Sequence, residues 1–493
     1  MRAEKMSIKF PSDLWAIAIC LLGFSFWSCL FFLKYNLFGF HDWDLALYSQ
    51  VMQGLCHGTT HTSLFQASFL VDHAHYIAFF LTPFYALFPH PLTLMYIELF
   101  TFFAGAFIFY KIAAKNVGCL AAIALMVIYL VHPANVFMLL YEFHFESLAT
   151  GFIFLMFYFW TEKKWIPFII TAFFTMLIKE NMALIVIMFG VFGILFNKES
   201  KWRWGGIILG MGVLFFTVNM FILVPYFRRD LVHTSNIYWS CYTQFGSSPQ
   251  EILHNLFFNP VLVLKGVLTP QNLVYFQNCT APYLFFSIFG RGFYFGIPIL
   301  AQNMLSSTPN MHTIYYHYAA TFIPFVAMGA LDTLVFVKKR VRSFVFVIFV
   351  TVIVTCSCIY IRPFKQMWQE KFDRWVDPLF SIREYMVEQI PKGASVVTNF
   401  IFLSHLTDHK ELYAFYNVWR DVNYFTGQKP FQLPPHVQYA LIDFNDTWML
   451  YDIVVDPDFT RSRVHNFFIQ NNWIEKLRYG KIVLFERREI GLR

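Results

Sequence analysis

Five short stretches hold most of the residues in this chain that could do chemistry. HDWD carries Asp42 and Asp44, with Gln50 a little further on. VDHAHY carries Asp72, His73 and His75, and YEFHFE carries Glu142, His144 and Glu146. IKEN supplies Lys179 and Glu180, and MHTIYYHY supplies His312, His317 and Tyr318. Together these side chains suit transfer of a group to a hydroxyl. A carboxylate in a partly dry site has its pKa raised towards working pH and can take a hydroxyl proton. A lysine holds a phosphate as a point charge, and histidine can donate to a phosphate or a sugar hydroxyl.

Each residue also has a plainer reading. Asp is a favoured N-cap, so Asp42 or Asp44 could cap the helix that LALYSQVMQGL suggests. Lys179 and Glu180 could be an ion pair at a helical hairpin, and His144 and His317 could be satisfied structural histidines. Glu98 lies within an apolar run and Asp332 near the end of another; both are expected to bind neighbouring helices.

The elements that must position these residues are membrane helices. Of 493 residues, 57% are hydrophobic and 14% charged, with 63 Phe, against about 25% charged in a soluble domain. The net charge of +7 comes from basic clusters scattered between apolar runs, which orient a membrane protein and build no nucleic-acid groove. Eleven spans are expected, near 14–33, 91–110, 118–133, 147–160, 166–178, 182–196, 205–225, 273–290, 292–306, 317–337 and 343–361. The first lacks a cleavage site and reads as a retained span. The stretch IAFFLTPFYALF before the PHP turn reads as an interfacial helix.

Orientation follows from Lys and Arg. Arg2, Lys5, Lys9, Lys111, Lys115, Lys163, Lys164, Lys198, Lys201, Arg203 and the 338–342 cluster all fall on one side if the spans alternate. That side is expected to be the cytoplasm. The run from Trp165 to Asn197 is too long for one crossing and has basic flanks, so it should be two short helices with Lys179-Glu180-Asn181 at their outer tip. All five reactive stretches then lie outside, the first two within an external loop at about 34–90. Charged groups at such a rim pair with one another or serve a site. Cys241 and Cys279 could pair there if the compartment is oxidising; no cysteine spacing suggests zinc.

After residue 361 the apolar runs stop. VDPLFSIREYMVEQI and RSRVHNFFIQNNW read as helices, and ASVVTNFIF, VQYALIDFN and KIVLFERRE as strands. The expectation is a mainly α, polytopic transmembrane bundle over 1–361 with a small α/β extracytoplasmic domain over 362–493.

These motifs together resemble the DUF2079 family of bacterial membrane proteins. WDLALYSQ is similar to its D-L-x-x-x-x-Q element, VDHAHY to its D-H element, and EFHFESLA to its F-H-x-E element. IKEN is similar to its K-E-D/N element and YYHYAA to its H-Y element. That family resembles the GT-C superfamily of integral-membrane glycosyltransferases. The resemblance implies a polyprenyl-phosphate sugar donor and a catalytic acid in the first external loop, which maps onto Asp44. Asp42 stands beside it and Asp72 later in the loop, so HDWD leaves the choice of base open. On this reading, Asp72 and Glu146 orient the acceptor or bind a divalent cation, and Lys179 with His144 or His317 holds the donor phosphate. Gln50, His73, Glu180 and Tyr318 complete the substrate contacts. The isoprenoid tail lies among membrane lipids and Phe-rich helices, no residue demands a cofactor although a divalent cation could serve, and the location is the bacterial inner membrane with a cytoplasmic N-terminus. The alternatives are a transporter or flippase for lipid-linked substrates, whose polar sites lie near the bilayer midplane, and a non-catalytic assembly factor.

Overall fold

The computed structural model describes residues 12–197, 200–231, 237–409, 411–423, 427, 430–446 and 457–488; Arg2, Lys5, Lys9 and Lys198 lie outside them. The chain opens with helix α1 (Ser12–Asn36), then α2 (Asp44–Cys56), a two-stranded hairpin β1 (His61–Thr62) and β2 (Ala67–Ser68), and α3 (Ile77–Leu87). Among the described residues, five helices are long and apolar enough to cross a bilayer: Asp13–Asn36, Pro91–Val117 (α4), Trp202–Phe227, His317–Lys338 and Ser343–Ile361. A sixth crossing arises if α5 (Cys119–Leu130) and α6 (Pro133–Leu140), bent by 47°, count as one. Pro133 starts the second half, where a proline has no hydrogen bond to lose. Helices α7 (Phe145–Thr161), α8 (Trp165–Met176) and α9 (Met182–Phe196) are apolar but shorter. As expected, 165–196 is a hairpin of two short helices.

Two expected spans are not continuous. In place of 273–290 and 292–306 the chain forms Pro270–Thr280, short turns, Arg291–Tyr294 and Ile297–Met304. Pro282, the left-handed Leu284 and Phe285, and Pro298 interrupt the helix. The broken segment packs along Ile323–Lys338: Gly290 and Gly292 lie against Gly329 and Met328, and the Gly292 N–H donates to Asp332 at 2.8 Å. Irregular backbone within a membrane must be covered by protein or line a cavity; here Tyr283 and Phe293 are buried, while Phe285, Phe289 and Tyr294 are exposed. Cys241 and Cys279, which could pair in an oxidising compartment, are both free thiols, and Cys279 is buried on the Pro270–Thr280 helix rather than in a polar connection.

Close helix approach depends on small residues, as is usual where lipid supplies no hydrophobic drive between helices. A Cβ on Gly151 of α7 would lie 2.3 Å from the Thr101 carbonyl of α4, and one on Gly105 would lie 2.7 Å from Gly151 Cα. At one end of the bundle, Asp13 binds Lys111 at 2.8 Å, Lys115 binds Glu162 at 2.7 Å and Lys338 donates to the Asn116 carbonyl at 3.1 Å. This gathers the start of α1 with the ends of α4, α7 and Ile323–Lys338. The expected basic side is therefore one physical end, and the five reactive stretches sit towards the other.

Beyond the last long helix, the chain builds a five-stranded mixed sheet. Its strands are β3 (Val396–Thr398), β4 (Leu412–Ala414), β5 (Tyr439–Asp443), β6 (Trp473–Tyr479) and β7 (Ile482–Arg487), in the order β4-β3-β5-β7-β6. The expected strands are β3, β5 and β7; β4 and β6 were not legible. Alternation puts Val396, Leu441 and Leu484 on a face continuous with the helical core, and Val397, Ile442 and Phe485 on the face against helix Pro457–Gln470. Ser63 of the first loop exchanges hydrogen bonds with Leu412 at 2.8 and 2.9 Å, and His405 stacks on Phe38 and Tyr35. The sheet is thus docked on the loop that carries HDWD.

Gly151→Val should separate α4 from α7 and cost about 1–3 kcal/mol, as overpacking does, seen as a lower unfolding temperature of the detergent-purified protein. Gly210→Ala, whose added Cβ meets no atom within 4 Å, should change stability by less than about 0.5 kcal/mol. Equal behaviour of the two variants would contradict the close crossing.

Candidate active site

The site is built on the turn between α6 and α7. Helix α6 ends at Leu140, and α7 begins at Phe145 with His144 extended before it, so residues 141–144 form a non-helical, largely buried corner. Carbonyls at a helix C-terminus have no intrahelical partner and favour a cation. Here Lys34, at the end of α1, donates to the Leu140 and Tyr141 carbonyls at 2.8 and 2.6 Å, its ammonium lying 4.1 Å from the Phe40 ring. The next residue, Glu142, reaches into the first loop and accepts from the Asp42 and Leu45 N–H groups at 2.8 and 2.9 Å. Glu142 therefore caps α2 from another part of the chain. No side chain at the start of α2 does so, which corrects the capping reading of Asp42 and Asp44 and leaves both carboxylates for other contacts.

Asp42 is fully engaged: Oδ1 accepts from the Trp43 N–H at 2.9 Å and Oδ2 from the Tyr141 hydroxyl at 2.6 Å. Asp44 accepts from Tyr141 at 3.1 Å and from His144 Nε2 at 2.9 Å, both at Oδ2. Its Oδ1 has no hydrogen-bond partner among the described residues. Burial, with the neighbouring Asp44, pushes Asp42 up to about 6, and burial pushes Asp44 up to about 6 against the pull of His317 and Tyr141. Burial, then Asp42, pushes Glu142 above the usual carboxylate range, while Lys34 and the Leu45 N–H pull it back. Burial holds His144 at about 3 although Glu146 pulls it upwards. Near neutral pH, His144 is thus a neutral donor to the Asp44 carboxylate, its Nδ1 facing the Tyr48 hydroxyl at 3.4 Å.

The remaining stretches close on this centre. His317 stacks on His144 with ring centroids 3.5 Å apart, its Nε2 3.2 Å from Glu146 Oε2. Its Nδ1 has no partner among the described residues. Lys179, at the tip of the α8–α9 hairpin, lies 3.0 Å from Glu146 Oε1. Tyr318 lies against His317, and Asp72 is buried within electrostatic reach of Asp44. A second layer stitches the hairpin tip to the first loop: Glu180 accepts from His73 Nδ1 at 2.7 Å and the Ala74 N–H at 3.0 Å, and His75 donates to the Ile178 carbonyl at 2.7 Å. Burial raises the Glu180 carboxyl, but His73 and the other donors outweigh it and hold the group at about 2.

Among the sequence candidates, Asp42, Asp44, His144, Glu146, Lys179 and His317 meet directly. Asp72, His73, Glu180 and Tyr318 surround them. Gln50 stands apart: its amide accepts from Ser63 and the Leu64 N–H and donates to the His409 carbonyl, joining the first loop to the sheet. There it borders a polar cleft of about 560 Å³ with His57, His61, Asp408 and Glu411. His312 is likewise distant, bound to Asn272 and the Ser306 carbonyl. The expected partners appear for Asp332, which binds Gly292. Glu98 is fully buried and neither carboxyl oxygen has a hydrogen-bond partner among the described residues. Tyr48, Tyr141 and the capping role of Glu142 escaped the sequence reading. Tyr48 was within reach of it, one helical turn from Asp44 and hence on the same face of α2. One donor atom each from His144, Glu146 and His317 lies within 4.8 Å of the others, a set able to hold a divalent cation. Lys179 competes with any such ion for Glu146.

The sequence profile of the family described as "Predicted membrane protein (DUF2079)" matches residues 34–480. No curated protein matches the sequence. Among solved structures, ArnT from Cupriavidus metallidurans bound to undecaprenyl phosphate is similar, with a TM-score of 0.52 at 12% identity over 97% of this chain and 98% of that one. The same protein in its apo state gives 0.48 at 11% identity, covering 96% and 97%. At this identity the likeness shows the fold, an ArnT-like arrangement of membrane helices.

Glu142→Gln leaves one carbonyl oxygen to accept from two N–H groups and turns an amide N–H₂ towards the other. The variant should lose about 1–3 kcal/mol, measured by thermal unfolding in detergent. Unchanged stability would remove the cap.

Proposed function

The chain belongs to the DUF2079 family of predicted membrane proteins, and from that premise we propose that it is a membrane glycosyltransferase moving a sugar from a polyprenyl-phosphate carrier to an envelope acceptor. The observation that supports this most is the convergence of Asp44, His144, Glu146, Lys179 and His317 from separate connections at one end of the bundle. A polyprenyl phosphate is the ligand of the similarly folded ArnT structure, and it is the donor carrier that the motif resemblance implies.

In the reaction, an acceptor hydroxyl oxygen attacks the anomeric carbon. The carbon–oxygen bond to the phosphate breaks, its electron pair leaves on the polyprenyl phosphate, and the hydroxyl proton passes to Asp44. Direct displacement inverts the anomeric centre and needs one base, unlike the two-step route of retaining glycosidases. Asp44 fits that role better than Asp42 because Oδ1 stays open while both Asp42 oxygens are bonded. Tyr141 and His144 fix the orientation of Asp44. Asp72 and Glu146 orient the acceptor, with His73, Glu180 and Tyr318 shaping the pocket and Gln50 lining the cleft beyond. Lys179 pairs with Glu146; a divalent cation held by His144, Glu146 and His317 would, when bound, take its place there and help neutralise the leaving phosphate.

The site faces the outside of the bacterial inner membrane in this reading, with a cytoplasmic N-terminus and an extracytoplasmic domain over 362–493. This reading takes the broken 270–304 segment as a pair of short passes, although its helices are each too short to cross alone. A transporter would hold its polar site near the midplane; this cluster lies at the helix ends.

A deletion strain should accumulate one polyprenyl-phosphate sugar, and Asp44→Asn, inserted at wild-type level, should fail to clear it. Clearance by the variant would take the base role from Asp44. Because Asp44 must be ionised to accept the proton, and burial raises it to about 6, kcat/KM with that carrier should fall about tenfold per pH unit below pH 6. A rate flat from pH 7 to pH 5 would contradict this assignment.

A further inference from the structure

Lys179, the cation expected at the donor phosphate, already faces Glu146, so the leaving phosphate needs other positive groups. The helix Phe364–Asp373 supplies them. It follows the last long helix, Ser343–Ile361, after only Arg362 and Pro363, so its start lies at that helix's end, where lipid headgroups begin. Its inner face rests on α6: Phe137 meets Phe364 and Trp368 with centroids 6.3 Å apart, and the Lys371 ammonium lies 5.4 Å from the Phe137 ring. Tyr315 packs on the same Phe137 at 5.0 Å, and the adjacent Tyr316 packs on Tyr141, which donates to Asp42. Lys371 is thus linked to Asp42 through Phe137, the Tyr315–Tyr316 pair and Tyr141, and Arg374 lies within electrostatic reach of His41, next to Asp42.

Lys371 is half-buried and Arg374, one turn on, is exposed. Neither has an acidic partner among the described residues. The nearby acids are otherwise placed: Asp377 binds Arg383, Glu370 accepts from Gln366, and Asp373 is exposed. Lys34, held by the Leu140 and Tyr141 carbonyls, lies within electrostatic reach of Lys371, and Trp375 packs beside Lys34 and Gly39, its ring 5.1 Å from the Lys34 ammonium. His41, beside Asp42, is half-buried and faces this field; burial, then Lys34 and Arg383, depress its imidazole to about 4. The buried Trp368 Nε1–H has no acceptor among the described residues. Unmatched cations and an unmet N–H donor at headgroup depth, beside a candidate base, form a receptor for an anion.

We propose that Lys371 and Arg374, with His41 and Trp368, bind the phosphate of the lipid carrier, so that the helix after the last span completes a site otherwise built from earlier connections. This rests on the reading of the protein as a polyprenyl-phosphate-dependent transferase. The shared chemistry is a lipid phosphate, which a phosphoglyceride could also present.

The test uses the full-length protein in phosphatidylcholine nanodiscs, titrated with undecaprenyl phosphate, with undecaprenol, and with phosphatidic acid. The wild type should bind undecaprenyl phosphate more tightly than undecaprenol. The Lys371→Ala/Arg374→Ala double variant should lose at least about tenfold of that affinity, with undecaprenol binding and unfolding temperature unchanged, and Lys371→Arg/Arg374→Lys should restore it. Undecaprenyl phosphate binding by the double variant within twofold of wild type overturns this site and leaves the transferase reading standing. No preference of the wild type for undecaprenyl phosphate over undecaprenol overturns both. Equal affinity for phosphatidic acid, lost in the same variant, overturns the assignment to the carrier and marks a general phospholipid contact.

Discussion

The carboxylate of Glu142, clasped by the N–H groups of Asp42 and Leu45, is the contact on which the rest of the site depends. It gives α2 its cap, so the acids of HDWD need not supply one. It fixes the distance between the first loop and the α6–α7 corner, bringing the Tyr141 hydroxyl to both Asp42 and Asp44. A buried carboxylate needs compensation; here the N–H groups and Lys34 provide it. Lys34 serves twice, since its ammonium also binds the carbonyls that end α6. One buried cation and one buried acid therefore hold three chain segments, and the reactive acids are the residues left over.

The outer part of the cluster follows the same economy of charge. Glu146 stands between Lys179 and His317, and Glu180 between His73 and the Ala74 N–H. Each pairing joins connections distant in sequence, so the ends of short helices such as α8 and α9 are held by electrostatic contacts as well as by packing. Asp44 is the exception, with one oxygen uncommitted in a mostly buried setting. The docked sheet covers the loop from one side, and the helix Phe364–Asp373 rests on α6.

Much of this was legible in the sequence. Apolar runs located the long helices, and the basic flanks of 165–197 predicted its fold as a hairpin with Lys179-Glu180 at the tip. Motif residues from five stretches were expected on one end of the bundle, and most of them meet there. What failed had physical causes. The 270–304 segment has the composition of two spans, but proline and left-handed residues break it. Strands β4 and β6 are short or exposed and carry weak alternation. The cap of α2 comes from a residue about a hundred positions away, which no local pattern reveals, and Gln50 looked like part of the site while its amide joins two parts of the fold.

The central claim is that a lipid-linked phosphate is received at the end of the bundle beside Asp44. Cryo-electron microscopy of the wild-type protein in nanodiscs with saturating undecaprenyl phosphate measures this directly. The phosphate is expected between HDWD, the 141–146 corner and the helix Phe364–Asp373, with the isoprenoid chain running between helices into the bilayer. A phosphate bound only in a cavity at the bilayer midplane, or no phosphate density beside Asp44 at saturation, would contradict this.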